Sequence, residues 1–210
     1  MKSSNDLQRY DDKTRMNHWA VALLFVLAGL SGLAFFHPSL FFFSNLFGGG
    51  TWTRILHPYF GLLMCISFAG IYTKLKAENK ITDSDKEWLR SSKQMFLGDK
   101  SGMPLVGKYN GGQKVVFWSM SISLLVLVVT GFVFWHAWFP DFPVWMRRIA
   151  VLLHAIAAFV LVLSVIVHVY AAIWVKGTVR AMTRGTVSRG WAQANHPLWY
   201  KDMTGKDGQA

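Results

Sequence analysis

Histidine is the residue type in this sequence with the widest capacity for chemistry, because a neutral imidazole binds metals and carries protons near pH 7. The chain has seven: His18, His37, His57, His136, His154, His168 and His196. Those at positions 18, 57, 154 and 168 lie within or at the ends of long apolar runs. Ionisable side chains are rare in such segments and by default mark a functional site. We therefore interpret these four histidines as a functional set.

Two members of this set lie on one apolar run at a spacing that suits two separate metal centres. His154 and His168 are 14 residues apart. In an α-helix, 14 residues come within about 40° of a whole number of turns and rise about 21 Å. The two imidazoles would therefore face the same way at two depths, and each could serve a different centre.

Four apolar stretches could position these histidines, because each approaches the roughly 20 residues that cross about 30 Å of hydrocarbon. They are Trp19–Phe36, Ile55–Tyr72, Val115–Trp135 and Ile149–Val175. The chain is 52% hydrophobic yet carries a formal net charge of +11, and its basic residues lie between the apolar runs. A bilayer explains this segregation better than a soluble core does. The predicted fold class is all-α: an integral membrane four-helix bundle in which residues 1–210 form a single membrane domain.

The distribution of Lys and Arg sets the expected orientation. Nineteen of the 22 Lys and Arg residues precede the first run, lie between the second and third, or follow the fourth. Because basic residues that flank spans stay in the cytoplasm, we expect both termini, the loop over 74–114 and the tail over 176–210 to be cytoplasmic. These segments could also bind anionic membrane lipid. A nucleic-acid interface is the weaker interpretation, since basic residues beside membrane spans act first as topology signals.

This topology pairs the four histidines by depth. His57 is followed by Pro58, which is best tolerated in a first helical turn, so we expect His57 to begin the second helix on the periplasmic side. It would pair with His154, whereas His18 would pair with His168 near the cytoplasmic face. Two imidazoles on one haem iron leave no open coordination position, which suits electron transfer rather than oxygen chemistry. The sequence thus predicts two haem groups that form an electron-transfer path.

The cysteine content favours haem of the non-covalent b type. Cys65 is the only cysteine, and the sequence has no Cys-x-x-Cys-His run for covalent haem attachment. A single cysteine also excludes an iron–sulfur cluster held by this chain alone. Two alternatives from other classes stay open: a haem-free membrane anchor, and a transporter with polar histidines near the midplane. No convincing internal repeat supports a transporter.

Several further residues have two interpretations each. Gly29 and Gly32 lie on nearly the same helical face as His18, and they could form a flat floor for the periplasmic porphyrin or simply allow close helix packing. Arg147 could pair with haem propionates or act only as a topology signal. We interpret the remaining three histidines as non-ligating. His37 and His196 would be interfacial, and His136 would lie within an aromatic belt beyond the third helix.

Four sequence runs carry a specific resemblance to one protein family. They are Arg54-Ile55-Leu56-His57-Pro58, Gly107-Lys108-Tyr109-Asn110-Gly111-Gly112-Gln113-Lys114, His168-Val169-Tyr170-Ala171-Ala172-Ile173-Trp174-Val175-Lys176-Gly177 and His196-Pro197-Leu198-Trp199-Tyr200. These runs resemble the gamma subunits (cytochrome b556) of bacterial respiratory formate dehydrogenases, and the similarity extends from about Arg9 to Tyr200. The resemblance implies two haem b groups whose iron ligands are the four histidines of the functional set. Those ligands are His18, His57, His154 and His168.

The resemblance also implies a quinone pocket on the cytoplasmic side. Its residues would be His168 with Asn110, Gly112 and Gln113, and its substrate menaquinone or ubiquinone. The sequence gives independent support, because a polar, glycine-rich turn before the third helix leaves backbone N–H groups approachable and offers side-chain amides to a quinone carbonyl. A plain helix start with a topogenic lysine is the simpler interpretation of the same residues.

A subunit of this family would pass electrons from a periplasmic iron–sulfur beta subunit through the two haems to quinone, in the bacterial cytoplasmic (inner) membrane. Formate oxidation would reside on a separate molybdenum- or tungsten-containing alpha subunit. The cytochrome b subunit of a nickel–iron hydrogenase, or of a related quinone-linked reductase, is the alternative within the same class. The chain departs from the family pattern at Asn195, where a second histidine is common, and at His136, where an arginine is common.

Overall fold

The helices of this protein follow the hydropathy of its sequence. The computed structural model describes residues 6–92, 102–135, 137–139 and 141–206. The helices are α1 (Asp12–Phe36), α2 (Gly50–Leu75), α3 (Asp83–Arg90), α4 (Gly111–Phe134), α5 (Val144–Trp174), α6 (Val179–Arg184), α7 (Arg189–Asn195) and α8 (Pro197–Lys206), with a 3₁₀ helix over Pro38–Phe47. Four of them, α1, α2, α4 and α5, are long and apolar enough to cross a membrane. The prediction of an all-α, multi-pass membrane protein is confirmed.

Each of these four helices begins about one to two turns before the apolar run that predicted it. The added turns are largely polar, and at a membrane interface water can satisfy their side chains while the helix continues. As a result, α2 begins at Gly50, and His57 and Pro58 lie inside it. The prediction that His57 begins the second helix is therefore wrong. Membrane helices tolerate an internal proline where neighbouring groups satisfy the freed carbonyl.

The chain packs as two compact units. The terminal unit comprises residues 6–15, 74–92, 102–120 and 163–206, and the central unit comprises residues 16–73, 121–135, 137–139 and 141–162. His168 belongs to the terminal unit, and the other three histidines of the functional set belong to the central unit. Residues 93–101 of the predicted loop and 207–210 of the predicted tail lie outside the described residues.

A small antiparallel sheet joins the N-terminal segment to the tail within the terminal unit. β1 (Asp6–Gln8) pairs with β2 (Thr186–Ser188), and Leu7 lies opposite Val187. The buried cluster around the sheet consists of Leu7, Ala181, Val187, Ala192 and Trp199. Neither strand could be predicted from the sequence, because three residues show too little hydrophobic alternation.

In the same unit, the short helix α3 packs against the start of α4 through a buried ion pair. Lys114 Nζ donates to Asp85 Oδ2 at 2.6 Å, and the two side chains are only 11% and 9% exposed. Asp85 also accepts from the backbone N–H and the hydroxyl of Thr82. Burial raises the pKa of Asp85, but the hydrogen bonds from Lys114 and Thr82 outweigh burial and hold the pKa below its ordinary value. A Cβ on Gly111 would lie 2.8 Å from the Asp85 carbonyl oxygen, so this approach requires glycine.

Candidate functional site

The central unit brings two histidines of the functional set together. His57 on α2 and His154 on α5 have ring centres 6.4 Å apart, and their ring planes are inclined at 63°. Both side chains are partly buried. This is one of the two pairs that the sequence predicted from depth alone.

A serine on α1 contacts the His57 ring. Ser31 Oγ lies 2.9 Å from His57 Nδ1, and Ser31 is fully buried. The hydroxyl also lies 2.7 Å from the backbone carbonyl oxygen of Leu27 and 3.0 Å from that of Ala28, both of which can only accept. When the hydroxyl donates to one of these carbonyls, its oxygen accepts from His57 Nδ1. This arrangement leaves the lone pair of Nε2 for a metal.

A threonine on α4 does the same for His154. Thr130 Oγ1 lies 3.0 Å from His154 Nδ1, 2.6 Å from the carbonyl oxygen of Val126 and 3.3 Å from that of Leu127. When the hydroxyl donates to a carbonyl, His154 Nδ1 donates to the hydroxyl and Nε2 is left for a metal. The same arrangement at both imidazoles would present the same nitrogen for ligation.

A glycine and a phenylalanine complete each of these environments. A Cβ on Gly32 would lie 3.2 Å from His57 Cε1, and a Cβ on Gly131 would lie 3.6 Å from His154 Cε1, so each ring edge packs beside a glycine. Phe35 contacts the His57 ring edge-on at 6.0 Å, and Phe134 contacts the His154 ring edge-on at 5.1 Å. The participating segments are Ser31-Gly32-Leu33-Ala34-Phe35 and Thr130-Gly131-Phe132-Val133-Phe134. We call each an imidazole clamp, formed by its first, second and fifth residues.

Of the clamp residues, only Gly32 was predicted from the sequence. The available signal was a short repeat, Ser/Thr-Gly-x-x-Phe, whose hydroxyl residue precedes its histidine by 26 residues in one case and 24 in the other. Five residues are too few to stand out as a repeat until the contacted histidines are known.

The other predicted pair is divided between the two units: His18 lies in the central unit and His168 in the terminal unit. His18 is partly buried on α1 and meets Trp19 edge-on at 5.4 Å. The neighbouring Asn17 donates from Nδ2 to the carbonyl of Ser67 at 2.7 Å, which ties this turn of α1 to α2. His168 is exposed on α5. Their joint ligation of a second iron stays a prediction.

Three of the four predicted quinone residues, Asn110, Gly112 and Gln113, lie at the N-terminal cap of α4, whereas His168 lies on α5. Asn110 Oδ1 accepts from the backbone N–H of Gln113 at 2.8 Å, and Gln113 Oε1 accepts from the backbone N–H of Asn110 at 3.0 Å. A Cβ on Gly112 would lie 3.1 Å from the ring of Trp88, so the glycine also permits close packing of α3. The capping bonds use the carbonyl oxygen of each amide, and the NH₂ groups are the parts that could donate to a quinone.

A cavity of about 230 Å³ lies beside this cap in the terminal unit. Its wall includes Trp88, Lys108, Tyr109, Asn110 and Lys114. Asn110 is the only predicted quinone residue in that wall. The cavity is therefore adjacent to the cap but does not by itself define the predicted quinone site.

Arg147 has a local partner near the start of α5. Its Nη1 atom lies 3.9 Å from Asp141 Oδ1, a long and largely exposed ion pair. Arg147 and Arg148 also line an open groove beside Phe134. Both interpretations of Arg147, as a propionate partner and as a topology signal, stay predictions.

His37 and His196 occupy very different environments. His37 is exposed and caps the 3₁₀ helix by accepting from the Ser39 N–H at 3.2 Å. His196, predicted to be interfacial, is instead only 2% exposed, and its Nδ1 atom donates to the Gly107 carbonyl at 2.7 Å. His136 lies outside the described residues, so its place in an aromatic belt stays a prediction.

His196 is buried beside a cation. Its Nε2 atom lies 3.5 Å from Arg9 Nη2, and Arg9 is only 7% exposed. The Arg9 guanidinium lies 4.9–5.8 Å from the centres of four aromatic rings. These belong to Tyr10, Tyr109, Trp191 and Trp199. Burial, and then repulsion from Arg9, lower the pKa of His196 to about 4.

The lowered pKa of His196 predicts that the terminal unit loses stability in acid. Because the folded pKa of His196 is lower than the unfolded value of about 6.5, the unfolded chain binds the proton more readily between about pH 6.5 and 4. Stability should be full above this window and fall by up to about 3 kcal/mol as the pH drops through it. Thermal unfolding followed by tryptophan fluorescence from pH 7.5 to 4 would measure this loss. His196→Gln should flatten the profile, whereas His37→Gln should not; equal slopes in both variants would contradict the assignment.

Comparison with known proteins places the chain among bacterial respiratory cytochromes. A family described as prokaryotic cytochrome b561 matches residues 9–185. The formate dehydrogenase cytochrome b556(fdo) subunit of Escherichia coli (strain K12) is 38% identical over 204 residues, which cover 97% of this chain and 96% of that protein. The nitrate-inducible formate dehydrogenase cytochrome b556(Fdn) subunit of the same strain is 36% identical, with coverages of 97% and 94%. The formate dehydrogenase cytochrome b556 subunit of Haemophilus influenzae is 33% identical, with coverages of 95% and 85%.

Four membrane-spanning helices that carry a pair of imidazoles 6.4 Å apart define a class, the multi-pass membrane cytochromes of the b type. The similarities narrow this class further. The chain belongs to the prokaryotic cytochrome b561 family and, within it, to the cytochrome b556 subunits of formate dehydrogenases.

Proposed function

We propose that this chain is the di-haem, quinone-reducing cytochrome b subunit of a formate dehydrogenase complex. The His57–His154 pair carries the proposal. Metal–imidazole bonds are about 2 Å long, so two of them, with the offset of each nitrogen from its ring centre, span roughly 6 Å. The observed separation of 6.4 Å between ring centres fits one metal ion bound by both imidazoles.

The arrangement fits haem b in particular. His57 and His154 would hold the haem iron through their imidazoles, a ligand type that proteins use for haem. The Nδ1–H tautomers of His57 and His154 leave Nε2 of each ring for the iron. His18 and His168 would hold a second haem b. When bound, such a haem exchanges one electron and opens no coordination position to other ligands.

The direction of electron transfer follows from the orientation of the chain. The concentration of Lys and Arg in both termini and the middle loop supports a cytoplasmic location for them, in a bacterial cytoplasmic membrane. The His57–His154 pair would then lie nearer the periplasm and receive electrons first. The names of the relatives support membership of a formate dehydrogenase complex. Its other subunits would be an iron–sulfur subunit and a molybdenum- or tungsten-containing catalytic subunit, where formate would be oxidised.

Quinone would be reduced at the cytoplasmic start of α4. Asn110 and Gln113 supply amide NH₂ groups that can donate to a quinone carbonyl, Gly112 leaves the backbone approachable, and His168 would complete the pocket. The adjacent cavity is lined by two lysine–carboxylate pairs, Lys108–Glu78 and Lys114–Asp85, and Lys114 would assist protonation of the reduced quinone. Menaquinone and ubiquinone both carry the carbonyls that this chemistry requires.

Haem content tests the proposed function directly. The chain should be purified from membranes within its native complex, and its pyridine haemochrome and reduced-minus-oxidised spectra recorded. We expect two b haems per chain, both reduced by formate. Well-folded protein without haem would overturn the proposal and leave a membrane anchor.

Two isosteric substitutions separate the quinone role of the α4 cap from its structural role. Asn110→Asp and Gln113→Glu keep the oxygen that accepts the capping bond and remove the NH₂ donor. If these donors bind quinone, the KM for quinone should rise roughly two- to tenfold, the scale of one hydrogen bond. The melting temperature should be unchanged or slightly higher, because an anionic cap suits a helix N-terminus. An unchanged KM in both variants would show that these amides serve only as a cap.

A further inference from the structure

We propose that Ser31 and Thr130 are positioning residues that act through His57 and His154 to hold both imidazoles as Nδ1–H tautomers and to set the reduction potential of the haem between them. This inference rests on the proposed function, in which both rings ligate one iron. It adds a role for two hydroxyl groups that would not contact the iron or the porphyrin nitrogens themselves.

The acceptors around both hydroxyls support the tautomer assignment. Ser31 Oγ lies 2.7 Å and 3.0 Å from the carbonyl oxygens of Leu27 and Ala28, and Thr130 Oγ1 lies 2.6 Å and 3.3 Å from those of Val126 and Leu127. A carbonyl can only accept, so a hydroxyl that donates to one accepts from Nδ1. In the opposite tautomer the hydroxyl would donate to the ring and give up its bond to the carbonyl, at 2.7 Å or 2.6 Å the shortest contact of each hydroxyl.

The repetition of the clamp is a second, independent observation. The same three residue types at the same spacing contact His57 from α1 and His154 from α4, although these segments are far apart in the chain. General helix packing explains a small residue or an aromatic residue at one contact. It does not explain why hydroxyl, glycine and phenylalanine recur together on two different helices, each set around one member of the same histidine pair.

The clamps have a predictable electronic effect. An acceptor at Nδ1–H makes an imidazole more basic and therefore a stronger donor to its metal through Nε2. A stronger donor stabilises ferric iron relative to ferrous iron, so the clamps lower the potential of this haem. Because a hydroxyl is a neutral acceptor, the effect is smaller than that of a carboxylate partner.

Redox titration of the haem in the intact complex tests the proposal, with Ser31→Ala and Thr130→Val as the disrupting variants. Each should raise the ferrous-to-ferric ratio of one haem about threefold at a fixed ambient potential, the scale of one neutral hydrogen bond. Both variants should shift the same haem, and the double variant should shift it about tenfold, which is 59 mV for one electron. The ferric low-spin EPR signal of that haem should also move, because its imidazole planes are no longer held.

Conservative variants and a matched control distinguish this role from general packing. Ser31→Thr and Thr130→Ser should restore the potential, because each keeps a hydroxyl. Thr53→Val removes another fully buried hydroxyl of the central unit, one that bonds only the carbonyls of Ser44 and Gly49, and it should leave both haems unshifted.

The possible outcomes separate this inference from the proposed function. Two haems with unchanged potentials and EPR signals in both disrupting variants would overturn the inference and leave the proposed function intact. A shift of different haems by the two variants would overturn the shared-iron geometry. Loss of one haem in the disrupting variants but not in the conservative ones would support the inference, since the hydroxyl would then be needed for haem retention. Loss of a haem in both kinds of variant would overturn it. A wild-type chain without haem would overturn both proposals.

Discussion

Replacing His57 with alanine should leave one b haem per chain instead of two. Under the proposed function, the substitution removes one of the two imidazoles, with ring centres 6.4 Å apart, that would hold one haem, and His154 alone would not retain it. Formate-to-quinone activity of the complex should fall by more than the roughly 10–100-fold typical of losing an outer partner of a metal ligand. Pyridine haemochrome on the purified complex gives the haem count, and quinone reduction gives the rate.

Double variants make this prediction specific to the pairing. His57→Ala combined with His154→Ala should lose no more haem than either single variant, because both residues serve one iron. His57→Ala combined with His168→Ala should lose both haems. The exposed His37 provides the control, and His37→Ala should keep both. If the first double variant lost two haems, the rings would ligate different irons and the assigned pair would be incorrect.

Replacing Lys114 with alanine should destabilise the terminal unit strongly. The substitution leaves the carboxylate of Asp85 buried without its cation, and breaking a buried ion pair costs about 3–5 kcal/mol. We expect about 3 kcal/mol, because Thr82 continues to donate to Asp85. For a chain of this size the melting temperature should fall by about 6–12 °C. Thermal unfolding in detergent, followed by tryptophan fluorescence, would measure the shift.

An exposed ion pair on α3, the helix that carries Asp85, supplies the matched control. Lys86 and Asp83 lie 2.8 Å apart, with side chains 61% and 96% exposed. Exposed pairs contribute little, so Lys86→Ala should cost less than about 1 kcal/mol. The two lysine variants remove the same charge from the same unit and differ mainly in burial. Equal melting temperatures for both would show that the Asp85–Lys114 contact is not the stabilising feature proposed.

The loss of stability in acid should also distinguish the wild-type Asp85–Lys114 pair from the Lys114→Ala variant. Lys114 and Thr82 hold the pKa of Asp85 below its ordinary value of 3.8 in the folded protein. Its contribution to stability is therefore present above about pH 4 and is lost as the pH falls through the lower, folded pKa. In Lys114→Ala this acid-dependent loss should be smaller, because the main hydrogen bond that lowers the pKa is gone.

The membrane helices and the histidine pair could be predicted from the sequence because their signals are local or depend only on depth. Apolar runs report the spans, since burial in lipid requires about 20 consecutive apolar residues whatever their neighbours are. His57 and His154 could be paired because topology fixes their depth in the bilayer. Even here, the start of α2 at Gly50 was missed, because hydropathy follows the hydrocarbon and not the polar turns that extend a helix into the interface.

The partners of these histidines could not be predicted, because side-chain contacts between helices depend on rotation and packing that hydropathy does not encode. Ser31 and Thr130 are ordinary small residues of apolar helices until their hydroxyls are seen beside Nδ1. The contacts of Asn110 and Gln113 could not be predicted either. Their residue types suited a quinone pocket, and only the folded cap showed that their carbonyl oxygens bond the backbone.

The sequence by itself determined the class of this protein: its four membrane helices, the segregation of its basic segments and the histidines that we propose as haem ligands. Only the tertiary structure decided how the N-terminal strand joins the tail, why His196 is buried beside Arg9, and which hydroxyls lie beside the imidazoles of the His57–His154 pair. The physical reason is the range of the forces involved. Hydropathy and charge act on each segment against its solvent, whereas tautomers, caps and buried ion pairs depend on single hydrogen bonds between residues distant in the chain.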